Sequence, residues 1–447
     1  MIMTLDERLE NVAVIGAAGK MGSGIVLLLA QEMAKLKIKN PDKGYHLYAL
    51  DVSEKALDGL MSYMRAQATK AAEKSCMMLR ELYKGRADLV ENYDIIDQFT
   101  HDVLSVLRPI TDLSLAKNAH MVFEAIVEDV NVKNKVLKQL NELCSKETFY
   151  FTNTSSIPIH ILDEDVGLGG RIIGYHFYNP PAVQKLAELI PAKTTKRELV
   201  DISHEIAKRL RKKIIPSNDV AGFIGNGHFM RDILHAIGEV ERLSDTFSLV
   251  EGIYAMNKVS QDFLIRPMGI FQLIDYVGVE VCQLIMKVMS IHIPGVTLGN
   301  KLIDRMVEKK VIGGQYADGS QKDGFLKYEK NRPAGVYDID KGKYVMFDPE
   351  GWTKKVDEKL GPMPEGWAPW RKLLVDPKKE EKLQDCFGNL KKMDTLGAEL
   401  ARAYFKRSKE IGEGLVDDGV AQKAEDVNGV LTNGFYHLYG PANNYMA

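Results

Sequence analysis

The chain has few cysteines, no long apolar run and almost no net charge. Its four cysteines (Cys76, Cys144, Cys282 and Cys386) are far apart in 447 residues and form neither a CxxC pair nor a metal-ligand spacing. No apolar run approaches the roughly 18 residues that a membrane span needs. The N-terminal residues lack the basic-then-apolar order of a secretion signal. We therefore expect a cytoplasmic protein that has no membrane segment and binds no metal.

The charge balance argues against nucleic acid as a partner. There are 59 basic and 61 acidic residues, a formal net charge of −2, so no global field attracts polyanions or anionic membranes. Hydrophobic residues make up 45% and charged residues 27%, which is typical of a soluble globular protein. The length exceeds that of a single core and predicts two or three domains.

A glycine-rich segment near the N-terminus is the first functional motif. The apolar run Val12–Ile15 predicts a strand, GAAGKMGSGI a turn, and VLLLAQEMAKLK a helix. In that context Gly16, Gly19 and Gly22 allow a tight turn and a close approach of the backbone to a pyrophosphate at the helix N-terminus. The spacing G-x-x-G-x-x-G is one residue longer than the usual dinucleotide pattern.

An acidic residue ends the next predicted strand. Tyr45–Leu50 is strand-like, and Asp51 follows it directly. A carboxylate there accepts hydrogen bonds from the adenosine ribose hydroxyls and repels a 2′-phosphate, which predicts NAD rather than NADP. The alternative is that Asp51 caps the helix beginning near Ser53, and the two roles are compatible.

Residues 53–106 are charged and helical throughout, too long for an ordinary crossover helix. We predict a helical arm that stands off the sheet. Its basic residues Lys70, Lys74, Lys84 and Arg86 offer contacts to phosphates, although most such lysines are only solvated helix surface.

The segment RIIGYHFYNPPAVQKLAELI (171–190) contains the candidate catalytic residues. A short buried strand delivers His176 to its end, and helix-forming residues resume at Ala182 before Glu188. Histidine accepts and returns a proton near neutrality, and a carboxylate on the next element stabilises the imidazolium. The alternative is a core histidine and a solvated helical glutamate.

Alternating strands and helices continue to about Pro216, and strand patterns become scarce beyond Asn218. We predict an α/β doubly wound, Rossmann-like sheet with a helical arm, followed by an all-α C-terminal domain with a partial repeat. The expected domains are an NAD-binding domain (1–217), a helical domain (218–328), an irregular Trp/Pro-rich connector (329–378) and a partial second helical domain (379–447). The repeat relates 249–276 to 415–445, each with an apolar-acidic start, a helical middle and a Gly/Pro turn.

Seven motifs in this order give a specific resemblance. They are GAAGKMG, FEAIVED (123–129), NTSS (153–156), HFYNP (176–180), KLAEL (185–189), GFIGN (222–226) and RPMGIFQLIDYVG (266–278). The chain resembles the 3-hydroxyacyl-CoA dehydrogenase family from the glycine turn to about Tyr328. The partial repeat is similar to the second C-terminal domain of the longer members.

The resemblance implies roles for particular residues. It makes His176 the catalytic base, Glu188 its paired carboxylate, and Ser155 and Asn226 the residues that hold the substrate oxygen and the cofactor. Glu128, Lys133 and Asn179 match contacts to the nicotinamide half of NAD. Lys74 resembles a lysine that binds the CoA phosphates, while Gln67 replaces the serine that accompanies it in the family.

The implied reaction is reversible, NAD-dependent oxidation of an (S)-3-hydroxyacyl-CoA to the 3-oxoacyl-CoA, of the fatty acid β-oxidation type or a related pathway. One alternative is a dehydrogenase of a small free hydroxy acid, as in the gulonate dehydrogenase relatives. Another is a non-catalytic NAD-binding protein. The repeat predicts a homodimer or a pseudo-dimeric monomer, and the acyl-chain preference is left open.

Overall fold

The computed structural model describes residues 3–316 and 319–446 and divides into two units, Met1–Asp219 and Val220–Ala447. The boundary falls two residues after the predicted end of the NAD-binding domain. The finer division into four domains stays a prediction.

The first unit is built on an eight-stranded sheet with strand order β3-β2-β1-β4-β5-β6-β7-β8, in which only β6 and β7 pair antiparallel. Strand order reverses between β1 and β4, where ligands of doubly wound sheets bind. The fold class is confirmed. The strands are β1 Asn11–Ile15, β2 His46–Leu50, β3 Leu107–Ile110, β4 Met121–Glu124, β5 Phe149–Thr152, β6 Ile172–Phe177, β7 Leu186–Ile190 and β8 Lys213–Pro216.

Helices cover both faces of this sheet, and two of them form the predicted arm. Helix α3 packs against α4, and its buried side chains recur at helical spacing from Leu57 through Met64 to Leu79. The helices are α1 Leu5–Arg8, α2 Lys20–Lys39, α3 Glu54–Leu82, α4 Asn92–Ser105, α5 Val130–Leu143, α6 Ile159–Val166 and α7 Arg197–Arg209, with a 3-10 turn at Leu113–Ala116.

The segment after His176 differs from its prediction. Helix-forming residues from Ala182 predicted a helix, but Leu186–Ile190 is strand β7. All five of its residues are buried between β6 and β8, so the hydrogen bonds of the sheet and burial on both faces override the helical propensity of Leu, Ala and Glu. Glu188 is therefore a buried strand residue rather than a helical one.

The second unit is mainly helical around its own apolar core, and it adds a small antiparallel sheet, order β11-β10-β9, that the all-α prediction omitted. Its helices are α8 Phe223–Arg242, α9 Leu249–Lys258, α10 Ile270–Val277, α11 Val279–His292, α12 Lys301–Glu308, α13 Trp352–Leu360, α14 Trp370–Leu374, α15 Lys379–Lys392, α16 Leu396–Asp417 and α17 Ala424–Gly434, with a π-helical turn at Val259–Phe263. Its strands are β9 Leu326–Glu329, β10 Arg332–Asp338 and β11 Lys343–Met346.

The connector predicted to be irregular is ordered. It holds β10, β11, α13 and α14, and its three tryptophans anchor it by their indole N–H groups. Trp352 donates to the Met346 carbonyl at 2.9 Å, Trp367 to that of Asp262 at 2.7 Å, and Trp370 to that of Tyr436 at 2.8 Å. The three indoles are partly buried. The bonds of Trp367 and Trp370 join the connector to the rest of the unit, whereas that of Trp352 lies within the connector.

The two copies of the repeat share a local contact between an asparagine side chain and a glycine turn. In the first, the Asn257 amide oxygen accepts the Gln272 N–H at 3.0 Å, and a Cβ on Gly269 would overlap that amide. In the second, the Asn428 amide oxygen accepts the Ala442 N–H at 3.0 Å, and a Cβ on Gly440 would overlap it. In both copies the helix-borne asparagine lies twelve residues before the glycine, and its amide oxygen accepts a backbone N–H from the residues that follow that glycine.

None of the helices within 3–316 and 319–446 combines the length and apolarity that a membrane crossing requires.

Asp275 anchors the small sheet to α10. Its buried carboxylate accepts the Phe325 N–H at 2.6 Å, the Leu326 N–H at 2.8 Å and the Tyr328 hydroxyl at 3.0 Å.

The substitution Asp275→Ala leaves two buried amides without an acceptor, and each unpaired amide costs about 1–3 kcal/mol of folding free energy. We therefore expect a lower urea midpoint of unfolding and faster hydrogen exchange of those two amides. Asp340→Ala, at an exposed carboxylate, is the control. Equal midpoints for the two variants would contradict this assignment.

Candidate active site

The glycine turn connects β1 to α2 as predicted. Gly16 has φ of +76°, and a Cβ there would lie 2.6 Å from the Ala125 carbonyl oxygen. A Cβ on Gly22 would overlap the Gly16 carbonyl oxygen, while Gly19 is the extended N-cap of α2. The backbone of the turn is therefore packed too tightly for a side chain at Gly16 or Gly22. The residues present fit a dinucleotide pyrophosphate at the helix N-terminus.

Asp51 lies beside this turn. Its Oδ2 accepts the Ala18 N–H at 3.0 Å and its Oδ1 the Val52 N–H at 2.8 Å. The helix that follows is capped by Ser53, whose hydroxyl accepts the Ala56 N–H at 3.2 Å. The capping alternative for Asp51 is thus wrong, and its carboxylate is available at the edge of the glycine turn.

Glu128 organises the loop that follows β5. Its Oε1 accepts the Thr154 hydroxyl at 2.7 Å, the Ser155 N–H at 2.8 Å and hydroxyl at 3.1 Å, and the Ser156 N–H and hydroxyl at 2.9 Å. The structure thereby brings two predicted site residues, Glu128 and Ser155, into direct contact. One carboxylate oxygen fixes the conformation of the NTSS motif.

Lys133 lies beneath Glu128 in a buried charge cluster. Its ammonium is 2.7 Å from Glu124 Oε1 and 3.5 Å from Glu128 Oε2, and only 1% of the Lys133 side chain is exposed. Burial by itself would raise the pKa of Glu128, but Lys133 and the hydroxyls of Thr154 and Ser156 hold it below its ordinary value of 4.5. Lys133 therefore acts on the site through Glu128.

His176 and Glu188 are paired across two strands. They are opposite residues in the antiparallel register of β6 and β7, and His176 Nδ1 is 3.3 Å from Glu188 Oε1. Glu188 is fully buried and His176 nearly so. The Asn153 amide oxygen accepts the Phe177 N–H at 2.9 Å, which ties the NTSS loop to this strand end. The arrangement can hold a histidine in one orientation and support it with a carboxylate.

Three other predicted residues are Asn179, Asn226 and Lys74. Asn179 is half-buried two residues after β6, and Asn226 is in the first turn of α8 in the second unit. Lys74 is exposed on α3. No group of three or more His, Cys, Asp or Glu side chains in the described ranges is placed to hold a metal ion.

A basic recess of about 260 Å³ adjoins the segment after β6 and was missed from the sequence. Helices α2 and α3 form one side of it, and Ala182–Lys185 and Arg209–Lys212 the other. The Lys212 ammonium donates to the Pro181 and Gln184 carbonyls, both at 2.5 Å, and burial lowers the pKa of Lys212 to about 8. Its basic residues are Lys35, Lys185, Arg209, Arg211 and Lys212.

Two sequence models of one enzyme family match the chain. The sequence model "3-hydroxyacyl-CoA dehydrogenase, NAD binding domain" matches residues 11–220, and the C-terminal domain model of the same family matches residues 246–328.

Similar proteins come from several organisms. The mitochondrial hydroxyacyl-coenzyme A dehydrogenase of Sus scrofa is 30% identical over 62% of this chain and 78% of its own. The glyoxysomal fatty acid beta-oxidation multifunctional protein of Cucumis sativus is 26% identical over 80% of this chain but only 43% of its own. The crystal structure of 3-hydroxybutyryl-CoA dehydrogenase from Escherichia coli K12 has a TM-score of 0.64 at 20% identity, covering 97% of this chain and 90% of that one, and shows the same fold.

The Lys133 cluster gives a stability prediction. Lys133→Met leaves the Glu124 and Glu128 carboxylates buried without their cation, and breaking such a pair costs about 3–5 kcal/mol, so we expect a clearly lower urea midpoint. Because the folded-state pKa of Glu128 lies below 4.5, its contribution is complete above pH 4.5 and is lost as pH falls through the lower value. Lys135→Met, exposed on the same helix, is the matched control. Equal urea midpoints for Lys133→Met and Lys135→Met would contradict a stabilising role for the cluster.

Proposed function

Because the chain belongs to the 3-hydroxyacyl-CoA dehydrogenase family and is thus an NAD-dependent oxidoreductase of 3-hydroxyacyl-CoA thioesters, we propose that His176 is its general base and Glu188 the supporting carboxylate. The contact of His176 Nδ1 with Glu188 Oε1, at the sheet edge that carries the glycine turn, is the observation behind this assignment. The direction considered is oxidation of an (S)-3-hydroxyacyl-CoA.

The first unit supplies the residues that would hold NAD. We assign the pyrophosphate to the tight glycine turn of Gly16, Gly19 and Gly22 at the N-terminus of α2, and Asp51 would accept hydrogen bonds from the ribose hydroxyls. Glu128 and Asn179 are proposed for the nicotinamide half. When bound, the nicotinamide supplies hydride acceptance, and the protein supplies orientation and proton handling.

His176 has the geometry for proton transfer. His176 Nδ1 faces Glu188, and we assign its Nε2 to the C3 hydroxyl of the substrate. Removing that proton leaves an imidazolium, which the buried Glu188 carboxylate stabilises. Ser155, fixed by Glu128, and Asn226 are proposed to orient the substrate oxygen.

The basic recess is proposed to take the phosphates of CoA. Its wall Ala182–Lys185 follows the His176 strand directly, and its basic residues exceed the single carboxylate, Glu32, that lines it. Lys74 is exposed on the helix that carries Ala71 and Ser75, two lining residues, and is proposed as a further phosphate contact. This position favours a CoA thioester over a small free hydroxy acid.

The finer biological setting is also a proposal. The repeat in the second unit supports a homodimer or a pseudo-dimeric monomer, and the four free thiols support a cytoplasmic location.

The first test is turnover. We expect acetoacetyl-CoA to be reduced with NADH, and free acetoacetate or gulonate to be poor substrates. His176→Gln should lower kcat by about 10²–10⁴, the usual contribution of a positioned base, while NADH binding followed by fluorescence is retained. Glu188→Gln should be impaired similarly or somewhat less. A His176→Gln enzyme with near-normal kcat would remove His176 from the mechanism.

The second test addresses the recess. Arg211→Ala removes one exposed guanidinium from it, and we expect the KM for acetoacetyl-CoA to rise about tenfold with little change in kcat, since a charge-assisted bond to phosphate is worth about 1.5–3 kcal/mol. The N-acetylcysteamine thioester, which lacks the nucleotide, should be unaffected. Arg197→Ala, at an exposed arginine outside the recess, is the control. An equal KM effect with both thioesters would exclude phosphate binding there.

A further inference from the structure

Tyr178 shares a carboxylate oxygen with His176. Its hydroxyl donates to Glu188 Oε1 at 2.6 Å, whereas His176 Nδ1 is 3.3 Å from the same atom. The two rings lie 4.9 Å apart between centroids at an interplanar angle of 43°. The shorter bond to Glu188 thus comes from the tyrosine rather than from the histidine.

We propose that Tyr178 is a positioning residue that holds the Glu188 carboxylate and divides the charge of Oε1 between its own hydroxyl and the His176 imidazole. The inference rests on the proposed function for the role of His176 as base. It assigns a function to the tyrosine of the HFYNP motif, which the sequence analysis left without one.

The bond has the length of a charge-assisted O–H···O⁻ interaction, the stronger class of hydrogen bond in proteins. Burial, followed by the charge of Glu188, raises the pKa of Tyr178 well above its ordinary value, so the hydroxyl remains a donor at neutral pH. Donation into Oε1 withdraws negative charge from the side facing His176. The imidazole therefore shares the Oε1 charge with the tyrosine hydroxyl instead of receiving all of it.

Within the first unit, the other buried or partly buried charged groups around β6 and β7 are directed elsewhere. Strand β8 places Ile215 opposite Glu188. These groups and their partners include Arg171 with Asn141 and the Thr148 carbonyl, Asp163 on α6 with Gly170 and Thr194, Asp219 with His160 and the Ile159 N–H, Arg209 on α7 with Asp6 and Glu32, and Lys212 with two backbone carbonyls.

Strand β6, which carries His176, also contains a matched control residue. Tyr175 is a buried tyrosine on β6, and its hydroxyl has no hydrogen-bond partner in the described part of the chain. Tyr175→Phe and Tyr178→Phe each remove a phenolic hydroxyl, at two positions three residues apart. Only the second removes a bond to Glu188.

The test is an NMR titration of the His176 imidazole in the full-length enzyme without substrate. In Tyr178→Phe we expect the midpoint of the His176 titration to rise by about 0.5–1 pH unit, because Glu188 Oε1 then accepts a hydrogen bond from the imidazole and no longer from the tyrosine hydroxyl. The acid limb of the pH profile of kcat/KM for 3-hydroxyacyl-CoA oxidation should move upward equally. Tyr175→Phe should leave both midpoints unchanged.

An unchanged His176 titration in Tyr178→Phe, or an equal shift in Tyr175→Phe, would overturn the inference. Should Tyr178→Phe fail to fold, 3-fluorotyrosine placed at position 178 keeps the ring and makes the hydroxyl a stronger donor. It should move the His176 midpoint downward, and no movement would likewise overturn the inference. If the wild-type enzyme converts no acyl-CoA, the proposed function fails, while the titration still decides the role of Tyr178.

Discussion

The pairing register of β6 with β7 is the constraint on which the candidate chemistry depends. The two strands run antiparallel in an otherwise parallel sheet, and this reversal places His176 opposite Glu188. Because side chains alternate between faces, a slip of one residue would carry Glu188 to the other face. Complete burial of both strands fixes the register, since any shift would move every side chain of β7 out of its packed position.

Local patterns were enough to predict the frame of the first unit. The predicted strands Val12–Ile15 and Tyr45–Leu50 correspond to β1 and β2, and each differs from the structure by one residue at its start. The glycine turn lies where strand, turn and helix follow one another in sequence. These features depend on residues within one or two turns of each other, which periodicity and turn chemistry describe well.

Features that depend on distant residues were not predictable in this way. Strand β7 has a helix-forming sequence and becomes a strand only because β6 and β8 lie on either side of it. The five hydrogen bonds to Glu128 Oε1 join positions 26 to 28 residues apart. The connector's first strand, β10, pairs with β9, and its Trp367 contacts Asp262 in the preceding helical segment.

The duplicated helical element has a kinetic consequence. Its two copies contact each other within the second unit, where the Tyr439 hydroxyl of the second donates to the Leu264 carbonyl of the first at 2.7 Å. Two such elements on separate chains would associate in a second-order step whose extent falls on dilution. Joined by one polypeptide, they meet at a fixed effective concentration, so their association is the same in a dilute cell extract as in a concentrated stock.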